Sequence, residues 1–105
     1  MKDIKPILLQ IKKSITAFEP DAEIILYGSY ALGQQKEDSD IDILIVLNKD
    51  EIPYSYKKKI SFSLHYIGLK ENILISPFIV SENKWKKKLS ITPFYKSIKE
   101  DGIIL

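Results

Sequence analysis

The stretch Leu26-Tyr27-Gly28-Ser29-Tyr30-Ala31-Leu32-Gly33, continued after a polar loop by Asp40-Ile41-Asp42-Ile43-Leu44-Ile45-Val46-Leu47, decides how this sequence is read. Its first half follows Glu23-Ile24-Ile25, so a short apolar run from Glu23 to Tyr27 is halted by glycine, the pattern of a buried strand. Ser29 to Leu32 has the composition of one helical turn, with Gly33 able to take the left-handed closing position. Gln34 to Asp38 reads as a loop. Asp40 to Leu47 is the clearest strand signal in the chain, and its apolar second half predicts a central strand covered on both faces.

Two chemical features sit in this stretch. Gly28-Ser29 falls where a strand gives way to a helix. A helix N-terminus presents free N–H groups and a partial positive charge, which suits a phosphate. Gly28 has no Cβ to hold a ligand away from the backbone, and Ser29 adds a hydroxyl donor. Taken alone, Gly-Ser is a common structural turn pair. Asp40 and Asp42 are two residues apart on a strand, so both carboxylates leave the same face. Like charges held this close repel, and a divalent cation with oxygen preference, Mg²⁺ or Mn²⁺, is the usual compensation. A solvated acidic strand end accounts for the pair equally well when nothing else is considered.

The spacing joins the two features. The ten residues from Tyr30 to Ser39 are few for a parallel crossover, which takes about a dozen or more. An antiparallel return brings the end of the first strand beside the start of the second. Phosphate donors then face metal-binding carboxylates, the arrangement of phosphoryl or nucleotidyl transfer.

Outward from this centre, Ile4, Ile7, Leu8, Ile11, Ile15 and Phe18 give Lys2 to Phe18 the spacing of an amphipathic helix, ended by Pro20-Asp21. Asn48 to Glu51 is a turn and Tyr54 to Leu69 a helix. Ile73 to Val80 is a third strand, and Pro77 within it predicts an edge position or a bulge. Ser81 caps a further helix start, and Thr92-Pro93 opens a last helix to about Lys99, followed by an apolar tail. This order predicts an α/β (α+β) fold with a small mixed sheet of about three strands flanked by helices, formed as a single domain over residues 1–105.

Composition narrows the classes. Hydrophobic residues at 45% and charged residues at 29% are globular values. No apolar run nears the ~20 residues that span a bilayer, and Met1 to Pro6 lacks the apolar segment of a signal peptide, so a cytoplasmic location without membrane attachment is expected. The absence of cysteine excludes disulfides and thiolate metal sites. The net charge of +2 conceals a division. Asp21 to Glu51 holds eight acids and two lysines, a balance of −6, whereas Ile52 to Lys99 holds ten lysines and two glutamates, a balance of +8. Acidic and basic halves suit a site that handles metal ions and a polyphosphate together, with one lysine reaching a triphosphate; they also suit two solvated faces. Lysine accounts for all 16 basic residues, so the chain supplies no arginine finger. Lys57 to Lys59 beside Tyr54 and Tyr56, and Lys84 to Lys88 around Trp85, are read as solvent faces of helices with Trp85 turned inward, and no direct nucleic-acid binding is expected. His65 is read as a structural residue. Phe94, Tyr95 and Ile103-Ile104-Leu105 either dock a partner or close the core.

From Ile24 to Leu47 the sequence resembles the signature of the DNA polymerase β-like nucleotidyltransferase superfamily, and within it the minimal nucleotidyltransferase branch. Many proteins of that branch are antitoxins of HEPN-domain toxins, and some transfer AMP from ATP to a tyrosine of the toxin. The resemblance implies that Gly28 and Ser29 hold the nucleotide phosphates and that Asp40 and Asp42 bind Mg²⁺ (or Mn²⁺), with Ser29, Asp40 and Asp42 as the catalytic set. It implies a HEPN-domain toxin as partner in a hetero-oligomer and ATP as substrate. Catalytic relatives add a third carboxylate on the next strand. Here Ile73 to Val80 contains no acid, Ser76 falls at the corresponding position, and Glu71 substitutes only in a different register. Binding the toxin without modifying it is therefore the alternative function. Nucleotide transfer to a small molecule, the remaining option, is accompanied in relatives by a substrate domain for which 105 residues leave no room.

Overall fold

A computed structural model describes residues 3–105. The elements run α1 (Lys5–Phe18), β1 (Glu23–Tyr27), α2 (Ser29–Leu32), β2 (Ile41–Leu47), α3 (Tyr54–Glu71), β3 (Ile75–Ser81), α4 (Glu82–Lys87), α5 (Pro93–Asp101) and β4 (Ile103–Ile104). The four strands form one mixed sheet in the order β3-β2-β1-β4. β1 and β2 are antiparallel, with Tyr27 opposite Asp42 and Glu23 opposite Val46. β2 and β3 are parallel, from Ile41 beside Ile75 to Leu47 beside Ser81, and α3 makes the crossover between them.

The helices begin and end where local chemistry requires. Pro6 lies in the first turn of α1, where a missing N–H costs nothing, and Ile7, Ile11 and Ile15 recur at four-residue spacing on its buried side. The expected start at Lys2 lies outside the described residues. α3 buries Ile60, Leu64, Ile67 and Gly68 and is closed by Asn72 in the left-handed conformation. The N–H of Ile73 then bonds back to the Gly68 carbonyl at 2.9 Å. Ile73 is therefore spent on closing the helix, which is why β3 starts at Ile75 rather than at Ile73. Ser81 and Thr92 cap α4 and α5, each accepting a bond from the N–H three residues on.

The sheet has a helical layer on each side. Ile41, Ile43, Ile45 and Leu47 of β2 face a cluster built with Ile7, Ile11 and Ile15 of α1 and with Ile60 and Leu64 of α3. The alternate residues Leu44 and Val46 face a smaller cluster with Ile25, Val80, Trp85 and Ile98, closed by Phe94 and Tyr95. β2 is the central strand anticipated from its apolar run. Pro77 sits on the edge strand β3, where a missing N–H can point away from the ladder.

The apolar tail supplies a fourth strand that the three-strand expectation omitted. Ile103 and Ile104 pair antiparallel with Leu26 and Ile25, and the Leu105 N–H donates to the Ile24 carbonyl at 2.9 Å. Two residues between a helix end and the terminus carry too little periodicity to announce a strand. Pairing with β1 makes them one. Among the described residues, no helix is long and apolar enough to cross a membrane.

Candidate functional site

The antiparallel turn-back of β1 and β2 puts the end of one strand beside the beginning of the other, so Tyr27 is paired with Asp42. Gly28 follows directly, with φ 76° and ψ −156°, a region open to glycine and costly for other residues. A side chain here would also collide with its neighbour. A Cβ added to Gly28 would lie 3.1 Å from Asp42 Cγ and closer still to its Oδ2. The backbone at Gly28 is thus pressed against the Asp42 carboxylate, and glycine is required for both conformation and space. Ser29 is the next residue and the first of α2. Gly28 serves as its N-cap residue, its carbonyl accepting from the N–H groups of Ala31 and Leu32 at 3.1 and 3.2 Å.

The two carboxylates are electrostatically coupled. Asp42 is half-buried, and its carboxyl is raised above the ordinary carboxylate range, first by burial and then by the charge of Asp40. Tyr27 is raised as well, by burial and by the Asp42 charge, and so stays a neutral phenol. Among the described residues neither aspartate has an ion-pair or hydrogen-bond partner; the ion pairs formed are Lys49–Glu19 and Lys86–Glu82. Two neighbouring acids, one partly desolvated and neither compensated by a lysine, are a donor set suited to a divalent cation. No group of three or more metal-ligating side chains occurs among the described residues, so the protein itself offers a cation two carboxylates and leaves further positions open.

The four residues singled out in the sequence, Gly28, Ser29, Asp40 and Asp42, therefore lie at one end of the sheet. The β3 neighbour of Asp42 is not an acid. The parallel register sets Ser76 beside Asp42, and a serine hydroxyl is a poor base at neutral pH. Glu71 is the last residue of α3 and accepts a hydrogen bond from Gln10 Nε2 of α1 at 3.1 Å, on the other side of the sheet. It therefore lies apart from Asp40 and Asp42.

Four lysines of the basic half lie elsewhere. Lys57, Lys84, Lys87 and Lys88 line a groove of about 950 Å³ with Ser81, Asp50 and Glu51, where β2 and β3 end. Seven residues of strand separate that end from Asp42's, on the order of 20 Å. These four lysines thus face Asp50 and Glu51 of the acidic half and not Asp40 and Asp42. They are solvated helix and loop residues, while Trp85 between them is 2% exposed and turned into the core. His65 is exposed on α3. Phe94 and Tyr95 close the second core cluster.

One grouping of residues near the carboxylates, as distinct from its separate members, carried no signal in the sequence. The ring of Phe94 stacks on that of Phe78 (centroids 5.5 Å apart, planes 10° apart) and meets Tyr27 edge-on at 5.2 Å. The rings come from β1, β3 and α5, so only tertiary structure unites them.

A glycine turn lying against paired carboxylates, at the open end of a mixed sheet, defines a scaffold of the phosphoryl- and nucleotidyl-transfer type. The chain belongs to the nucleotidyltransferase domain family, whose model matches residues 8–105. A protein of Methanocaldococcus jannaschii, provisionally named a protein adenylyltransferase, is 34% identical over 103 residues, covering 96% of this chain and 97% of its own. Another from that organism with the same kind of name is 32% identical over 105 residues, with coverage of 98% and 95%. Protein adenylyltransferase MntA of Thermococcus cleftensis is 42% identical over 53 residues, 50% of this chain and 52% of its own. Among solved structures, a toxin–antitoxin crystal structure with AMP-PNP is similar with a TM-score of 0.62 and 18% identity, covering 91% of this chain and 69% of the other. The fold is that of the DNA polymerase β-like nucleotidyltransferases.

Proposed function

We propose that this protein is an antitoxin that transfers AMP from ATP to a tyrosine of a HEPN-domain toxin, acting as a single cytoplasmic domain in complex with that partner. The observation that carries the reading is the packing of Gly28 against Asp42, with Ser29 next in sequence and Asp40 electrostatically coupled to the same carboxylate. The names of the full-length relatives support AMP as the group transferred. The toxin–antitoxin neighbour is compatible with a toxin as the acceptor.

Each residue then has a role set by its chemistry. Gly28 allows the phosphate chain to approach the backbone. Ser29 donates its hydroxyl, and the first turn of α2 its N–H groups, to the nucleotide phosphates. Asp40 and Asp42 hold Mg²⁺ (or Mn²⁺). Such a cation, when bound, neutralises charge on the phosphate oxygens and on the departing pyrophosphate. Orientation and charge neutralisation, rather than proton abstraction, account for the rate.

The position of Ser76 supports a second reading, in which the protein neutralises its toxin by binding and transfers nothing. One experiment separates the two. The protein is incubated with ATP, Mg²⁺ and the HEPN-domain partner from the same genome, and the partner is weighed by intact mass spectrometry. A gain of one AMP, lost in Asp42→Asn, is expected. A partner that stays unmodified yet is bound and inhibited leaves the binding-only function standing.

A further inference from the structure

We propose that Phe78, stacked on Phe94, is the platform that selects an aromatic hydroxyl as the acceptor of the transferred nucleotide. This rests on the transferase reading above and assigns the acceptor side of the same site.

Position comes first. Ser76, Phe78 and Val80 alternate on the face of β3 that Asp42, Leu44 and Val46 share on β2. Phe78 is two residues past Ser76, so by strand geometry its Cα lies roughly 8 Å from that of Asp42. Phosphoryl transfer sets the attacking and leaving oxygens roughly in line through phosphorus. With the phosphate chain held at Gly28 and Ser29, beyond β1, pyrophosphate leaves toward that side. The acceptor must then come from the opposite side of β2, over β3. There the sheet offers Ser76 and Phe78.

Second is the state of the ring. Phe78 is 38% exposed, although an aromatic side chain of its size belongs in the core. Its parallel partner Phe94 is held by the edges of Tyr27 at 5.2 Å and Trp85 at 5.9 Å. Phe78 is therefore the outermost ring of an anchored array that begins next to Asp42. A further ring can extend that array by stacking or edge contact.

Third is the chemistry that Ser76 lacks. In the transfer the acceptor oxygen forms a bond to the α-phosphorus of ATP, the bond from that phosphorus to the bridging oxygen breaks, and pyrophosphate departs with the electron pair. The acceptor proton passes to solvent water, since β3 supplies no carboxylate to take it. A phenol, with a pKa of about 10, gives up this proton far more readily than an aliphatic alcohol. An aromatic platform and a missing base thus favour the same acceptor class.

The test uses the full chain with ATP, Mg²⁺ and two probes, N-acetyl-tyrosinamide and N-acetyl-serinamide, with AMP transfer followed by mass spectrometry. The wild type should prefer the tyrosine probe. Phe78→Ala should raise KM for that probe roughly fivefold to tenfold, the scale of one lost ring contact, and leave KM for ATP unchanged. Phe78→Leu keeps apolar volume against Phe94 and serves as the folding control; it should show a smaller rise of the same kind. Ser76→Asp should speed transfer to the serine probe and narrow the preference. A rise in KM for ATP instead would make Phe78 a nucleobase support and overturn the assignment, as would unaltered kinetics in Phe78→Ala. If the wild type binds ATP but modifies neither probe nor the toxin, the transferase reading itself fails, and this assignment with it.

Discussion

The two faces of β2 share seven residues and do opposite work. Ile41, Ile43, Ile45 and Leu47 are each 0% exposed beneath α1 and α3. On the other face, Leu44 and Val46 are buried under α4 and α5, but the series opens with the half-buried Asp42, next to Gly28 and electrostatically coupled to Asp40 just before the strand. The first face is complete from end to end. The second gives up burial at one end to keep two negative charges together without a counter-charge. A strand can do both because its side chains alternate, so stability and chemistry are separated by one residue rather than by one domain.

This contrast can be broken most severely from the covered face. Ile43→Ala should cost about 3–5 kcal/mol, because the methyl groups are fully buried and the surrounding helices cannot collapse into the space. That is a large share of the ~5–15 kcal/mol that holds a domain together, and urea unfolding would measure it. A cost below about 1 kcal/mol would mean that the isoleucine face is not the main source of stability.

The site face is sharpened by its two glycines with positive φ. Gly28→Ala combines a forbidden backbone region with a collision against Asp42, and about 2–3 kcal/mol is expected together with weakened nucleotide binding. Gly33 has φ 69° but open space around it, so Gly33→Ala should cost about 1 kcal/mol and leave nucleotide binding intact. Equal effects of the two on nucleotide titrations would refute the special contact at Gly28.

The smallest effect lies in Asp42→Asn without metal. The Asp42 carboxyl is raised in the folded state, so its contribution is favourable below the ordinary carboxylate pKa and is lost as pH rises through the raised value. Above that window the metal-free wild type carries a fixed penalty. The group is only half-buried and solvent screens it in part, so the gain on substitution is discounted to about 0.5 kcal/mol at neutral pH, roughly 2–4 °C in Tm. Thermal melts in chelator from acidic to neutral pH should show the variant gaining on the wild type as pH rises. A loss of stability at neutral pH would show that Asp42 is paired after all.

How far the sequence reached differs from element to element. The apolar run after Asp42 declared a central strand, because a strand covered on both faces has no polar alternation to confuse it. The isoleucines of α1 declared a helix and its buried side. The two-residue spacing of Asp40 and Asp42 and the glycine stop before Ser29 marked the candidate site, because backbone geometry turns such local spacing directly into direction. The pairing of Ile103 and Ile104 with β1, the register that fixes Ser76 beside Asp42, the remoteness of the lysine groove and the stacking of Phe78 on Phe94 were settled only in three dimensions. Each depends on which distant segments become neighbours. That choice minimises the free energy of the whole packed chain, and no short window of residues encodes it.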